Sequence, residues 1–300
     1  MNGYQESIKE LSEKISTDII NLNINRKKGT APTQAFSDFL THSEQGDWAE
    51  NLLFSSIEKT FPEKFIPIKY GKSDKIIAGD PGFKTFYLSY QNELDTIGKR
   101  PDLLLYTPQL YKSQWGKDIS QLSLDDLKII VPESLAGMEI RSSAYLTKKF
   151  SPKDDRPFLS FTPKVEDLLV VLKWIKTYGV PHYYVQVFFD TIYLIPFTKI
   201  LEILGSSDIT IKGIKNKKIY GVFNGLPAFA IEKNPKNQFK ETIHIYLNQG
   251  IQISEKITLP DLEGKTKELE GGRLLHYVRF KGGHAEIKPN FLEAIRSAHE

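Results

Sequence analysis

The sequence predicts a mixed α/β (α+β) chain, with a central mixed sheet flanked by helices and a β-rich C-terminal extension. Three observations carry that prediction. Strand-length apolar runs recur at 65–70, 101–106, 137–146 and 182–197. Helical apolar spacing at 46–60 and 163–179 is interleaved with them. Beyond residue 200 the pattern becomes short strands and turns, which adds strands without adding long helices.

Residues 7–22 place Ile8, Leu11, Ile15, Ile19 and Leu22 at helical spacing, so an amphipathic helix is expected there. Gly29 and Pro32 break the pattern after the basic run Arg26-Lys27-Lys28, an arm on nucleic acid or a solvated linker. A second helix over 46–60 sets Trp48, Leu52, Leu53 and Ile57 on its apolar side. FIPIKY (65–70) is a short strand, and 71–99 reads as polar and Gly-rich, interrupted by FYLSY (86–90). PDLLLY (101–106) lacks alternation, as a strand buried on both faces does. A surface excursion over 107–136, with a helix at 123–129, leads to the alternating strand 137–146. Pro163 and Gly179 bracket the strongest helix, 163–179. Residues 182–197 hold one strand and the start of another; IYGVF (219–223), AFAIE (228–232) and TIHIYL (242–247) are strands, and a helix at 290–298 closes the chain. The organisation expected is a helical segment and arm (1–45), a core (46–200) and a β-rich region packed on it (201–300), together one compact domain of 300 residues.

Composition removes whole classes of chemistry. With no cysteine there is no disulfide, iron–sulfur cluster, cysteine nucleophile or thiolate zinc site. His42, His182, His244, His276, His284 and His299 form no HxH or HExxH spacing, which argues against a zinc hydrolase. No Walker loop or GxGxxG is present, so no nucleotide cofactor is expected. The charged N-terminus and the absence of an apolar run of roughly 18–20 residues predict no membrane partner and a cytoplasmic location. The net charge of +3 says little by itself, because a nucleic-acid footprint is a local patch.

Three carboxylates stand out along the core: Glu50, Asp102 and Glu139, with Arg141 two residues after the last. Asp102 follows Pro101 at the head of a buried strand, and Glu139 and Arg141 share a strand face. If the two strands are neighbours, Asp102 and Glu139 converge on one hard cation, of which Mg2+ suits one or two carboxylates plus phosphate oxygens. Plainer readings stand beside this. Asp47-Trp-Ala-Glu50 has capping-box spacing, and Pro-Asp is common turn chemistry. Glu139, between Met138 and Ile140, must face water, a partner or a metal.

Arg100-Pro-Asp102 and Glu139-Ile-Arg141, within this order of elements, resemble the PD-(D/E)xK nuclease superfamily over roughly 46–190. The chain looks most like a type II restriction endonuclease of the AccI type. The resemblance implies a restriction-endonuclease-like core, Mg2+-dependent cleavage of double-stranded DNA at a short near-palindromic site, and a homodimer. It also implies Asp102 and Glu139 as metal ligands and Glu50 as an auxiliary one. Arg141 departs from the usual lysine. It can hold a scissile phosphate but cannot act as a general base, so a lysine from elsewhere, Lys148 or Lys99, is an alternative. A repair nuclease or a non-catalytic DNA-binding protein on the same core remains open.

A rival motif, Asp261 with Glu286 and Lys288, keeps the lysine, but Asp261 reads as a turn and only twelve residues follow Lys288. Around the early motif, Ser142 and Ser143 lack a glycine-flanked elbow and suit DNA contacts. Residues 141–164 set Arg141, Lys148, Lys149, Lys153, Arg156 and Lys164 against Asp154 and Asp155, where backbone phosphates would lie. A second cluster, Lys212, Lys215, Lys217 and Lys218, reads as a solvated loop.

Overall fold

The computed structural model describes residues 2–72, 76–154, 156–212 and 218–296. Helices α1 (Gly3–Glu13) and α2 (Ser37–Thr60) precede strand β1 (Ile66–Lys69). Then come α3 (Phe83–Thr96), β2 (Leu103–Tyr106), α4 (Leu124–Ile130), β3 (Ala136–Ser142) and β4 (Ser160–Phe161). Helix α5 (Val165–Tyr178) leads into β5 (His182–Val187), β6 (Ile192–Pro196) and α6 (Phe197–Ser206). The remaining strands are β7 (Asp208–Lys212), β8 (Lys218–Phe223), β9 (Leu226–Glu232), β10 (Ile243–Tyr246) and β11 (Ile251–Ser254). After β12 (Ile257–Thr258), β13 (Asp261–Glu268), β14 (Leu274–Lys281) and β15 (His284–Ala285), helix α7 (Asn290–Arg296) ends the described chain.

The central sheet runs β1-β2-β3-β5-β6-β11 and is mixed: β3 and β5 are parallel and every other neighbouring pair is antiparallel. A parallel pair needs a crossover, and α5 supplies it. Strand alternation divides the core. Leu104, Tyr106 and Tyr184 face α5, α6 and a second, antiparallel sheet β4-β10-β9-β8-β7. Leu103, Leu105, Met138 and Val185 face α2 and α7, where Trp48, Leu53 and Phe291 are buried. All four residues of β2 are buried, as its continuous apolar run foretold. No described helix is long and apolar enough to cross a membrane.

Gly179 caps α5 in the left-handed conformation at φ 72°, the role its position suggested. Gly98 has a less obvious duty. At φ 85°, a Cβ there would lie 2.3 Å from the Val170 carbonyl oxygen and 2.4 Å from the Trp174 nitrogen. Only glycine lets this loop lie against α5, and the next residue, Lys99, donates its backbone N–H to Val170 at 3.0 Å.

Several sequence expectations give way to tertiary context. The helix expected over 7–22 ends at Glu13; Ser16 then accepts from Ile19 and Ile20 in turns, although Ile15 and Ile19 are still buried. The helix expected from 46 begins at Ser37 and runs through Gly46, because Leu40, Gln45 and Trp48 pack on one side. This places Asp47 and Glu50 in mid-helix, which removes the capping-box reading. FYLSY lies within α3, its rings meeting along a helical face: Phe83 on Tyr87 at 5.9 Å and Phe86 on Tyr90 at 6.4 Å. Asp261 opens β13 opposite Lys281 instead of sitting in a turn. Helix α6 was not foreseen. Of the closing helix, 297–298 lie outside the described residues, as do Asp155, Lys215, Lys217, His299 and the Lys212 side chain.

Among the described residues, β13 and β14 pair only with each other, through eight register positions. This ribbon is fastened along α2. Val278 donates to the Thr41 hydroxyl at 3.2 Å, Arg279 pairs with Glu44 at 3.1 Å, and the Trp48 indole N–H reaches the Gly282 carbonyl at 2.9 Å. The Trp48 ring packs edge-on to Phe189 and against Phe280, with centroids 5.5 and 6.3 Å away.

Candidate active site

Strands β2 and β3 pair Leu103 with Met138 and Leu104 with Gly137, so the next position sets Asp102 beside Glu139. The juxtaposition is closed by a hydrogen bond: the Ile140 N–H donates to the Asp102 carboxylate at 2.6 Å. Alternation sends Met138 and Ile140 into the α2 side of the core and leaves Glu139 and Arg141 facing α5.

Glu139 is only 1% exposed and is met by two cations. The Lys99 ammonium donates to its Oε1, and the Arg141 guanidinium lies 3.2 Å from the same oxygen. Arg141 also reaches Asp167, in the first turn of α5, at 3.2 Å. The second Glu139 oxygen is buried with no hydrogen-bond partner. Burial works to lower the Lys99 ammonium, but the Glu139 carboxylate overrides it and holds the lysine above its ordinary value. Arg141 is likewise raised, first by Glu139.

The remaining acids crowd one another. Burial, then the Glu139 charge, pushes Asp102 up to about 7, while Lys99, the Ile140 N–H and Arg141 oppose the rise. Glu50 on α2 is pushed up to about 9 by burial, then by Asp102, Asp47 and Glu139, with partial relief from Lys69. Two like-charged carboxyls without an intervening cation resist ionisation. Asp102 and Glu50 line a cavity of about 440 Å³ whose far wall carries Lys267, Tyr277 and Arg279 of the ribbon.

The structure thus brings Asp102, Glu139 and Arg141 together, with Glu50 within electrostatic reach. Among the described residues, no three His, Asp or Glu side chains already stand at metal-holding separation. Of the two lysine alternatives, Lys99 reaches Glu139. Lys148 does not; it sits exposed on a turn anchored by Asp190, which accepts from Thr147 and from Lys148 at 2.8 and 3.1 Å. Lys149, Lys153, Arg156 and Lys164 are also exposed, and among the described residues none of these five cations is drawn into an ion pair. Lys164 is tied to the site through its backbone N–H, which donates to Asp167 at 2.9 Å. Ser142 and Ser143 end β3 half-buried, Ser143 donating to Val187 at 2.9 Å. Lys218 of the second basic cluster pairs with Glu232 at 3.9 Å. The rival motif is not assembled. Asp261 is exposed opposite Lys281, Glu286 pairs with Lys256 at 3.2 Å, and Lys288 pairs with Glu255 at 2.7 Å.

Asp167 and Tyr90 went unnoticed in the sequence. An acid in a helix's first turn is ordinary dipole chemistry, so nothing marked Asp167. Tyr90 sits on α3, where burial pushes its hydroxyl up and the charges of Lys99, Glu139, Asp102 and Asp167 all reach it.

Behind the site His182 is 1% exposed, packed among Trp174, Tyr184 and Phe197 with neither ring nitrogen hydrogen-bonded. Burial, helped by the Lys99 charge, pushes it down to about 3. Its folded value lies below the unfolded one, so its contribution is complete above pH 6.5 and is lost as pH falls toward 3. Glu50 and Asp102 run in the opposite sense, favouring the folded state on acidification. Between pH 7 and pH 5, His182 alone should cost about 2 kcal/mol. Urea titrations of wild type and His182→Leu at both pH values isolate it; equal acid sensitivity in the two proteins would contradict the assignment.

A central mixed sheet with helices on both faces, and two acids paired across adjacent strands, is a restriction-endonuclease-like architecture. The family model of the AccI restriction endonuclease matches residues 1–153 and 151–300, the whole chain in two segments. The chain belongs to that family, and is therefore a type II restriction endonuclease whose partner is double-stranded DNA. No curated protein and no solved structure matches it.

Proposed function

We propose that the enzyme hydrolyses both strands of DNA at a short near-palindromic sequence, with Mg2+ held by Asp102 and Glu139 and, directly or through water, by Glu50. The observation that carries this is the pairing of Asp102 with Glu139 across β2 and β3, beside Lys99 and Arg141. The donor set suits a hard cation. All its atoms are carboxylate oxygens, one Glu139 oxygen is buried and unpartnered, and Asp102 and Glu50 are raised first by burial and then by the negative charge around them. When bound, such an ion polarises the phosphoryl group and acidifies an attacking water.

The protein's own groups divide the remaining work. Lys99 and Arg141, both firmly charged, offer N–H donors to the non-bridging phosphate oxygens as negative charge builds there. Arg141 keeps its proton throughout, and Asp167 orients its guanidinium. Ser142, Ser143, Lys148, Lys149, Lys153, Arg156 and Lys164 hold the DNA backbone beyond the scissile bond. Cutting two strands of a near-symmetric site calls for a two-fold homodimer with one site per protomer. Plasmid incubated with the protein and Mg2+ should yield discrete fragments, and chelation should stop the reaction. Nicking or junction cleavage would instead indicate a repair nuclease. Binding without cleavage in Mg2+ or Mn2+ would sink the enzymatic reading.

A further inference from the structure

A second, larger groove shares no lining residue with the cavity of Asp102 and Glu50. It encloses about 1140 Å³ between residues 26–30, helix α3 and the loop 233–241. Six cations line it, Arg26, Lys27, Lys28, Lys233, Lys236 and Lys240, against only two carboxylates, Glu166 and Glu241. Both acids are already engaged, Glu166 with Arg26 at 2.8 Å and Glu241 with Lys233 at 3.0 Å. Lys27, Lys236 and Lys240 stand exposed on the rims and, among the described residues, in no ion pair.

The walls are preformed. Arg26 is clamped by Glu166 and by Asp95, at 2.8 and 3.0 Å, which anchors the start of the basic run. Across the groove, Glu241 accepts from the Asn234 N–H at 2.8 Å and closes the loop that presents Lys236 and Lys240. The groove also adjoins the site: Tyr90 lines it while feeling the charges of Lys99 and Glu139, and Glu166 neighbours Asp167. A trough of this size with cations on both rims fits an extended polyanion better than a single phosphate.

We infer that this groove binds backbone phosphates of the duplex flanking the cleaved sequence, so that the enzyme grips DNA outside the bases it reads. The inference rests on the nuclease reading above. It goes beyond that reading by assigning cations that the catalytic step does not need.

The test compares two duplexes carrying the cleaved sequence, first mapped by plasmid digestion, one with long flanks and one with minimal flanks. The triple variant Lys27→Gln, Lys236→Gln, Lys240→Gln should cut the short duplex at the wild-type rate, which also shows that it is folded. On the long duplex, binding without divalent metal should lose nearly three phosphate contacts from its salt slope. That shrinks the fall in affinity between 50 and 200 mM salt by roughly 40-fold. A variant with the wild-type slope and the wild-type preference for long flanks would overturn the groove and leave the nuclease reading intact. A wild type that binds no duplex even at 50 mM salt would overturn both.

Discussion

On the proposed mechanism, asparagine at Asp102 should abolish Mg2+-dependent cleavage, a fall of roughly 10³-fold or more, because several kcal/mol of transition-state stabilisation would pass through that carboxylate. The substitution is informative because the fold should tolerate it. An amide oxygen still accepts from the Ile140 N–H that now meets the carboxylate at 2.6 Å. Removing the buried Asp102 charge also relieves the repulsion that, after burial, raises Glu50. Urea unfolding should therefore show unchanged or greater stability, and DNA binding in chelator should be unchanged or tighter, since an anion facing phosphate is gone. Plasmid digestion and duplex binding measured side by side separate the two effects. Wild-type cleavage by the variant would remove Asp102 from the site. Loss of activity in Asp261→Asn instead would transfer the chemistry to the late motif.

Methionine at Lys99 should lower the cleavage rate by roughly 10²- to 10³-fold, the usual cost of deleting one preorganised donor to developing charge. Glu139 keeps Arg141 as its counter-cation, 3.2 Å away, so the buried carboxylate is not left unpaired. A purely structural lysine would show its loss in the unfolding midpoint alone. A lysine that contacts phosphate shows it in the single-turnover rate at saturating DNA, and Lys99→Arg restores part of that rate by restoring the charge. Equal rates for Lys99→Met and wild type would leave Arg141 as the sole cation of the chemistry.

How much of this was legible in the sequence depended on whether the signal was local. Helix α5, its Gly179 cap and the buried strand β2 follow from periodicity and backbone chemistry within a few residues of each position. The Asp102–Glu139 pairing was legible conditionally: each residue's strand could be read, and a single assumption of adjacency brought them together. In the sequence Lys99 is only one of two alternatives, and choosing it over Lys148 is beyond local signals. It reaches Glu139 from a loop forty residues away, and it does so because Gly98 allows that loop to touch α5, a through-space contact with no sequence period. The misread start of α2 has the same origin. Gly46 carries a local signal for a break, and packing of α2 against the core outweighs it.

The seam between α2 and the β13–β14 ribbon also equips the protein with an optical reporter. Of its three tryptophans, Trp48 lies two residues from Glu50, with its indole N–H on the Gly282 carbonyl and its ring in a cluster with Phe189 and Phe280. A buried, hydrogen-bonded indole emits at a wavelength set by that enclosure. Lifting the ribbon from α2 exposes it to water and shifts its emission to the red. Trp174, locked beneath Gly98, changes only when the core itself opens. With Trp115 and Trp174 replaced by phenylalanine, the remaining emission follows the wall of the cavity lined by Glu50 and Asp102 separately from global unfolding.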